Sequence, residues 1–475
     1  MKDPFNSTFN MAANISECFV FRNGSATACN EWVYDQSQYK STLISTFDMV
    51  CDNKFVRSHM MLCHYIGTYL GTLTYGMFGD TLGRRPVLTT ALIGMMLPNL
   101  IRSFVSNLPL VGFLIIANGY FSMILYQSAY ILGDESAFAC YSSVLMIFVL
   151  ATELVDPSKR VFANFAYYFS FCMGEYVLVI FAYFIRDWRI LGWSTSIVVG
   201  IFLTSLLFQK ESARWLIAKG KLSRAEIILK DIAKENNANF DVDIKNIKVD
   251  EKHEKVTFCT AVGEFVKSKV LTVRLAIFMF NWFSISMTYF GITMKVGNLG
   301  GDVYVNFLIS TSAETIALFI CLYVVERLGR KKVFSSSMLI CGMGCLCTIF
   351  SSLYGGPSLH WLTITLAMIG KLTITVAYFN IYLMVAESFP TNLRSFAIGI
   401  CSSFGYAGSM VSAYVGDLGV LIDTKFGVAL PLVIFGAFDI CFGLLSFALP
   451  ETKNIPLPQS IQEAKNISRS VFNSN

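Results

Sequence analysis

The chain has 475 residues, a net charge of +5 and a composition that is 54% hydrophobic and only 15% charged. Soluble domains carry roughly 25% charged residues, so a string of soluble domains is excluded and a helical membrane protein is indicated. The charges are concentrated between Lys210 and Arg274, where 24 of the 69 charged residues lie. No basic tract is interleaved with aromatic residues, so we predict no nucleic-acid partner.

Residues 1–58 precede the first long apolar run and are predicted to form an extracellular, glycosylated loop. The segment contains three acceptor sequons for N-glycosylation. It also contains three cysteines that could form a disulfide in an oxidising compartment, and this odd number leaves one unpaired. The sequons begin at Asn6, Asn14 and Asn23, and the cysteines are Cys18, Cys29 and Cys51.

Eleven apolar runs follow, each long enough to cross a bilayer of about 30 Å as a helix. We therefore predict an all-α polytopic membrane protein with about eleven transmembrane helices. The predicted spans are 59–78, 86–103, 110–132, 161–185, 190–208, 275–297, 303–325, 333–353, 361–385, 395–415 and 428–449.

Short basic connections fix the predicted orientation, because Lys and Arg favour the cytoplasmic side. Gly83-Arg84-Arg85 and the link from Arg327 to Lys332 are therefore placed inside. The resulting plan is an N-terminal bundle at 59–208, a charged cytoplasmic loop at 209–274, a C-terminal six-helix bundle at 275–450 and a cytoplasmic tail at 451–475.

Three short patterns occur once in each half of the chain, which indicates an internal repeat. Both halves run in the same direction, but the second has six predicted spans and the first has five. We therefore expect the first helix of the N-terminal bundle to be missing ahead of residue 1. The paired patterns are Gly83-Arg84-Arg85 with Gly329-Arg330-Lys331, Glu153/Arg160 with Glu387/Arg394, and Glu211-Ser212 with Glu451-Thr452.

Two parallel bundles with a basic Gly-Arg-Arg loop resemble the major facilitator superfamily, in which the halves rock around a midplane site. More specific strings resemble the organic cation, organic anion and carnitine transporter family within it. These strings are Trp-Val-Tyr-Asp at 32–35, Phe-Asp-Met-Val-Cys-Asp at 47–52, Ala-Tyr-Phe-Ile-Arg-Asp-Trp-Arg at 182–189, Gly-Asn-Leu-Gly-Gly-Asp at 297–302, Leu-Pro-Glu-Thr at 449–452 and Pro-Leu-Pro at 456–458.

The chain departs from the family pattern at three points. Its first helix is absent, and residues 136–152 read as an insertion between helices, either an artefact of the gene model or splicing or a re-entrant segment. At the position where cation carriers of the family have Asp, and anion and carnitine carriers often have Arg, this chain has Tyr406. The usual indicator of substrate charge is therefore lost.

Charged residues near the bilayer centre are the first candidates for the transport site, because an unpaired charge there costs several kcal/mol. Counting about 1.5 Å of rise per residue from the predicted helix starts places Glu175, Glu314, Lys371 and Asp439 near mid-depth. The resemblance assigns Glu314 and Lys371 to acidic and basic positions of the family. The alternative interpretation of these two residues is a structural ion pair, and that of Asp439 is packing.

Aromatic residues complete the predicted substrate site, since an aromatic cage with one carboxylate suits an organic cation or zwitterion. Any single aromatic residue is more often a packing or interface residue than a ligand contact. The substrate-binding candidates are Glu175, Tyr289, Phe290, Glu314, Lys371, Tyr378 and Tyr406.

Acid–base patterns at the predicted cytoplasmic ends are the candidates for gating. Such pairs can lock two halves together and release as the halves rock, although basic residues there also determine topology. The candidates are Asp80, Gly83, Arg84, Arg85, Glu153, Arg160, Glu387 and Arg394.

The predicted function is a plasma-membrane transporter of small organic ions, either cations or carnitine-like zwitterions, that works by alternating access. An organic anion transporter of the same family, or a truncated product without transport activity, remains as an alternative. We predict no enzymatic activity, no cofactor and no metal site, and read the Cys341, Cys345 and Cys347 cluster as buried packing. A coupling ion, proton or sodium, is left open.

Overall fold

A computed structural model gives the fold of the chain. It describes residues 18–22, 25–135, 160–205, 211, 213–235, 263, 265, 267–296, 302–354, 360–421, 425–453, 455, 458 and 460–470. The predicted insertion at 136–152 lies outside these residues.

The described residues form eleven helices of 18 or more residues, each of which overlaps one predicted span. Eight of them are also apolar enough to cross a membrane by length and composition, which confirms a helical polytopic fold. The long helices are α2 (Phe55–Leu82), α3 (Arg84–Arg102), α4 (Leu108–Glu135), α5 (Arg160–Ile185), α6 (Trp188–Ser205), α9 (Lys269–Val296), α10 (Val303–Leu328), α11 (Arg330–Tyr354), α12 (His360–Ser388), α13 (Thr391–Leu421) and α14 (Lys425–Leu445).

Shorter elements flank the long helices. A two-stranded antiparallel hairpin begins the described chain, and no strand was predicted there. The elements are β1 (Phe19–Arg22), β2 (Ser25–Ala28), α1 (Leu43–Thr46), α7 (Ala213–Ala218), α8 (Leu222–Glu235) and α15 (Ile461–Ser470).

The segment before α2 is closed by an internal disulfide and is attached to the link between α5 and α6. A disulfide joins Cys18 to Cys51, while Cys29 is a free thiol. The backbone of Lys40 donates a hydrogen bond to the Arg186 carbonyl oxygen at 2.9 Å, which attaches the segment to the link between α5 and α6. Within the segment, burial and the neighbouring Asp48 carboxylate raise the pKa of Tyr34 to about 12. This loop is therefore tethered to the link between α5 and α6.

Three apolar cores hold the helices together. One lies in the first half and includes Leu88, Leu92 and Ile124 from α3 and α4. A larger one fills the second half around Phe278, Phe334 and other residues of α9, α11, α12 and α13. The third packs residues of α5 against α10 and α12, so it joins the two halves. Burial of these side chains is the main stabilising term for such packing, together with close contacts between the helices.

The tail helix α15 is docked against the second half. Arg274 at the start of α9 is almost fully buried. Its Nη1 donates to the carbonyl oxygens of Ser388 at 3.0 Å and Ala464 at 2.9 Å. One guanidinium therefore ties together the first turns of α9, the end of α12 and the tail helix. Residues 451–475 were predicted only as a tail, because the ten residues of α15, seven of them polar, give no membrane signal.

Candidate functional site

A buried ion pair lies at the centre of the second half. Glu314 comes from the middle of α10 and Lys371 from the first half of α12. The Lys371 Nζ lies 2.8 Å from the Glu314 Oε1, and the two side chains are 0% and 5% exposed. The two charges compensate each other in a region where either one alone would be costly.

Two side chains of α9 complete the surroundings of this pair. The Tyr289 hydroxyl donates a hydrogen bond of 2.7 Å to the Glu314 Oε2. The Lys371 Nζ lies 3.3 Å from the centroid of the Tyr289 ring, which is a cation–π contact. It also donates to the Thr293 Oγ1 at 2.6 Å. Lys371 is therefore enclosed by a carboxylate, an aromatic face and a hydroxyl.

A second carboxylate reaches this cluster from the first half of the protein. The Thr311 Oγ1, one helical turn before Glu314, donates to the Glu175 Oε2 at 3.1 Å. The Tyr176 hydroxyl shares a hydrogen bond of 3.0 Å with the Ser312 Oγ. Glu175 is only partly buried, unlike Glu314. The cluster therefore combines two carboxyl groups with one lysine.

An aromatic wall extends from the ion pair. The Tyr289 ring centroid lies 5.3 Å from that of Tyr378 and 5.2 Å from that of Phe290. Phe290 in turn contacts Tyr65 of α2 at 5.4 Å, which brings in the first half. Tyr378 continues to Tyr382 at 6.0 Å. Four of the five rings belong to the second half, and Tyr289, Phe290 and Tyr378 each keep part of their surface exposed.

A further ion pair connects the two halves at the end predicted to be extracellular. The Arg57 Nη2 at the start of α2 lies 3.1 Å from the Asp417 Oδ1 near the end of α13. The Ser58 hydroxyl donates to the other oxygen of the same carboxylate. The side chains of Arg57 and Asp417 are 30% and 12% exposed. We call these three residues the outer latch, a contact that the sequence did not predict.

Comparison with known proteins identifies the kind of molecule to which this geometry belongs. The family model for "Sugar (and other) transporter" matches residues 6–463. The "Organic cation transporter protein" of Drosophila melanogaster is 32% identical over 93% of this chain and 77% of its own length. "Solute carrier family 22 member 2" of Rattus norvegicus is 29% identical over 92% of this chain and 74% of its own length.

The chain belongs to the "Sugar (and other) transporter" family. Solved structures agree on the fold. The major facilitator proton:xylose symporter XylE superposes with a TM-score of 0.61 at 16% identity, covering 90% of this chain and 93% of its own. An inward open structure of XylE from E. coli gives the same TM-score over 87% of this chain. The major facilitator fold and the assignment to a transporter family rather than an enzyme are therefore confirmed.

The remaining predicted residues occupy several parts of the transporter. Tyr406 on α13 contacts the opposite half, since its hydroxyl donates to the Met123 Sδ at 2.8 Å. It lies outside the hydrogen bonds that surround Glu314 and Lys371. Cys341 and Cys345 are buried in α11, whereas Cys347 is exposed, so the three thiols do not converge.

The repeated Gly-Arg-Arg pattern of the transporter marks two equivalent helix starts. Gly83 and Gly329 precede α3 and α11 with φ of 100° and 93°, a conformation that favours glycine. The backbone of Arg85 donates to the Glu211 Oε1 at 3.2 Å. In the second half, the backbone of Arg330 donates to the Glu451 Oε1 at 2.9 Å. Each helix start is thus capped by a carboxylate from the end of its own half.

Glu387 and Arg394, the predicted gating residues of the second half, lie at the junction of α12 and α13. Glu387 lies 3.6 Å from the Arg330 Nε and accepts a hydrogen bond of 2.5 Å from the Thr452 hydroxyl. The Arg394 Nε donates to the Ala386 carbonyl oxygen at 2.6 Å.

Several predicted residues lie outside what the structure describes. They are Asn6, Asn14, Asn23 and Glu153, together with the side chains of Asp80, Arg84 and Arg160.

Proposed function

We propose that the protein carries small organic cations, and zwitterions with a cationic group, across the plasma membrane by alternating access. The observation that carries this proposal is the presence of two carboxyl groups, Glu175 and Glu314, around a single lysine, Lys371, beside an aromatic wall. A cation gains both from unlike charge in a poorly hydrated site and from the faces of the rings. Relatives named as organic cation transporters support the same substrate class.

The role of Glu314 follows from its pairing. Because Lys371 lies 2.8 Å from it, this carboxylate is neutralised and would give a nearly uncharged site by itself. Glu175 supplies the second carboxylate, and it accepts a hydrogen bond from the neutral hydroxyl of Thr311. Glu175 is therefore the residue we assign to the cationic group of the substrate, and Glu314 with Lys371 holds the wall in place.

The alternative of an organic anion carrier is less well supported. An anion would need an accessible cation in the cavity, and Lys371 is fully buried behind Glu314, Tyr289 and Thr293. Exchanging its carboxylate for a substrate anion would leave Glu314 buried without a cation, which costs several kcal/mol.

Alternating access gives the outer latch a role in the cycle. Arg57 and Asp417 sit on helices of different halves, so the predicted extracellular end opens only when this pair separates. A partly exposed ion pair contributes on the order of 1 kcal/mol, which is small enough to break during each cycle.

Uptake measurements test the proposal. Cells expressing the protein should take up labelled tetraethylammonium and carnitine, and should take up little labelled benzoate. Glu175→Gln should reduce tetraethylammonium uptake at least about tenfold at equal surface expression, because it removes unlike charge in the cavity. Glu463→Gln, on the exposed face of α15, is the matched control and should leave uptake unchanged. Benzoate uptake that depends on Lys371 would overturn the proposal.

A further inference from the structure

A second buried carboxylate lies in the same half but outside the site described above. Asp439 on α14 has no exposed surface. Its Oδ1 accepts hydrogen bonds from the Ser284 Oγ at 2.6 Å and from the Thr288 Oγ1 at 3.0 Å, both on α9. Its Oδ2 has no hydrogen-bond partner among the residues that the structure describes.

Among the described residues, none forms an ion pair with Asp439. The groups that face it are the two hydroxyls of α9 and, on α11, the Cys341 thiol with Cys345 next to it. The charged cluster of Glu314 and Lys371 contacts a different residue of α9, Tyr289.

Helix packing around Asp439 leaves little room for water. One turn before it, a Cβ on Gly436 would come within 2.7 Å of the Gly342 carbonyl oxygen of α11. One turn after it, a Cβ on Gly443 would lie 2.9 Å from the Met338 Cβ. The backbones of α11 and α14 therefore nearly touch on both sides of the carboxyl group, as small residues permit.

A carboxylate in such a place must be neutralised, because burial of an isolated charge costs several kcal/mol. The two hydroxyl donors and the Cys341 thiol stabilise it but bring no charge. A metal cation would need a shell of free oxygen atoms, whereas both hydroxyls already bond the carboxyl group. A proton needs no extra space and removes the charge completely.

We propose that Asp439 is a reversible proton-binding site that is coupled through α9 to the substrate site. Thr288 bonds Asp439, and the next residue, Tyr289, bonds Glu314 and covers Lys371. An ionised Asp439 pulls α9 towards α14 through stronger hydrogen bonds, and a protonated one relaxes that attraction. The proton thus biases the position of the helix that carries the aromatic wall. The coupling rests on the proposed function, whereas the proton site does not.

Thermal unfolding of the purified protein in detergent tests the proton site without any transport. Asp439→Asn mimics the protonated form. The Tm of the wild type should fall relative to that of the variant as pH rises from 5.5 to 8.5, because only the wild type then has to bury a charge. Asp52→Asn, an exposed aspartate before α2, is the matched control and should follow the wild type. Parallel curves for wild type and Asp439→Asn would overturn the proton site.

Uptake of tetraethylammonium tests the coupling, since the charge of this probe does not change with pH. Wild-type uptake should change at least about fivefold between pH 5.5 and 8.5, and Asp439→Asn should flatten the profile. Ser284→Ala should move the midpoint to higher pH, because the carboxylate loses a donor. An unchanged profile in Asp439→Asn would refute the coupling. Absence of wild-type uptake would refute the proposed function, and the unfolding result would still decide the proton site.

Discussion

Two carboxyl groups buried in the same helix bundle have different surroundings: one is paired with a lysine, and the other has only neutral hydrogen-bond donors. Glu314 has a lysine at 2.8 Å, a tyrosine hydroxyl at 2.7 Å and an aromatic ring over its partner. Asp439 has two hydroxyls and an oxygen atom without a partner in the described structure. Both are almost inaccessible to solvent. Burial alone therefore does not define the role of an acidic residue, whereas the charge of its neighbours does.

The difference lies in how much each site depends on pH. A carboxylate paired with an ammonium group keeps its charge because the pair is neutral as a whole. A carboxylate that has only neutral hydrogen-bond donors around it binds a proton, and so loses its charge, when the pH is low enough. The first arrangement suits a permanent part of a binding site, and the second suits a group that changes state.

The largest effect is expected when the paired carboxylate is made to resemble the unpaired one. Lys371→Met leaves Glu314 buried without a cation, and should destabilise the protein by about 3–5 kcal/mol. Its Tm should also become strongly pH-dependent, lower at pH 8.5 than at pH 5.5. Unfolding of the purified variant in detergent measures both effects.

The double variant Glu314→Gln/Lys371→Met provides the control for this prediction. It removes both charges, so most of the stability and the pH independence should return. If Lys371→Met alone unfolds at the same temperature as the wild type at every pH, the ion pair does not compensate Glu314 as described.

Intermediate effects are expected from removing one hydroxyl at each carboxylate centre. Thr288→Val removes a donor from Asp439, and Thr293→Val removes an acceptor from Lys371. Each should cost about 1–3 kcal/mol. The cost of Thr288→Val should grow as pH rises, because the donor matters most to the ionised form. The stability cost of Thr293→Val should stay constant with pH. If the two variants lose stability with the same pH dependence, the two carboxylates do not differ in the way described.

The smallest effect is expected at the outer latch, where a third carboxylate is paired with an arginine that is 30% exposed. Arg57→Gln should reduce stability by only about 1 kcal/mol, because the pair is partly exposed and the Ser58 hydroxyl still bonds Asp417. Accessibility of a cysteine placed at Tyr414, one turn before Asp417, to a membrane-impermeant reagent should increase. Unchanged labelling would show that the latch does not hold the two halves together.

The helices were predictable because long apolar runs are separated by charged or turn residues. Their ends were less so: α2 begins at Phe55 and α9 at Lys269, four and six residues before the predicted spans. Helical hydrogen bonding continues beyond the apolar core into the polar interface, where composition no longer marks it. The same limitation hid α15, which is polar throughout most of its length.

The candidate site was predictable only for its rare residue types. Glu175, Glu314 and Lys371 stand out because charges are uncommon in apolar helices. Thr293, Thr311 and Ser284 do not, since hydroxyl residues occur throughout these helices and most bond their own backbone. The Arg57–Asp417 contact joins residues 360 positions apart, and nothing in the local sequence around either indicates the other.

The two glutamate caps at the Gly-Arg-Arg turns affect how the movement of the two halves can be measured. Glu211 caps α3 and Glu451 caps α11, each within its own half. Rocking of one half against the other therefore stretches neither set of hydrogen bonds between backbone amides and glutamate carboxylates. The amide of Lys331 also donates to Glu451, at 3.2 Å. The amides of Arg85, Arg330 and Lys331 should keep equally slow hydrogen exchange in every state, and so provide fixed reference points against which the movement of other segments can be measured.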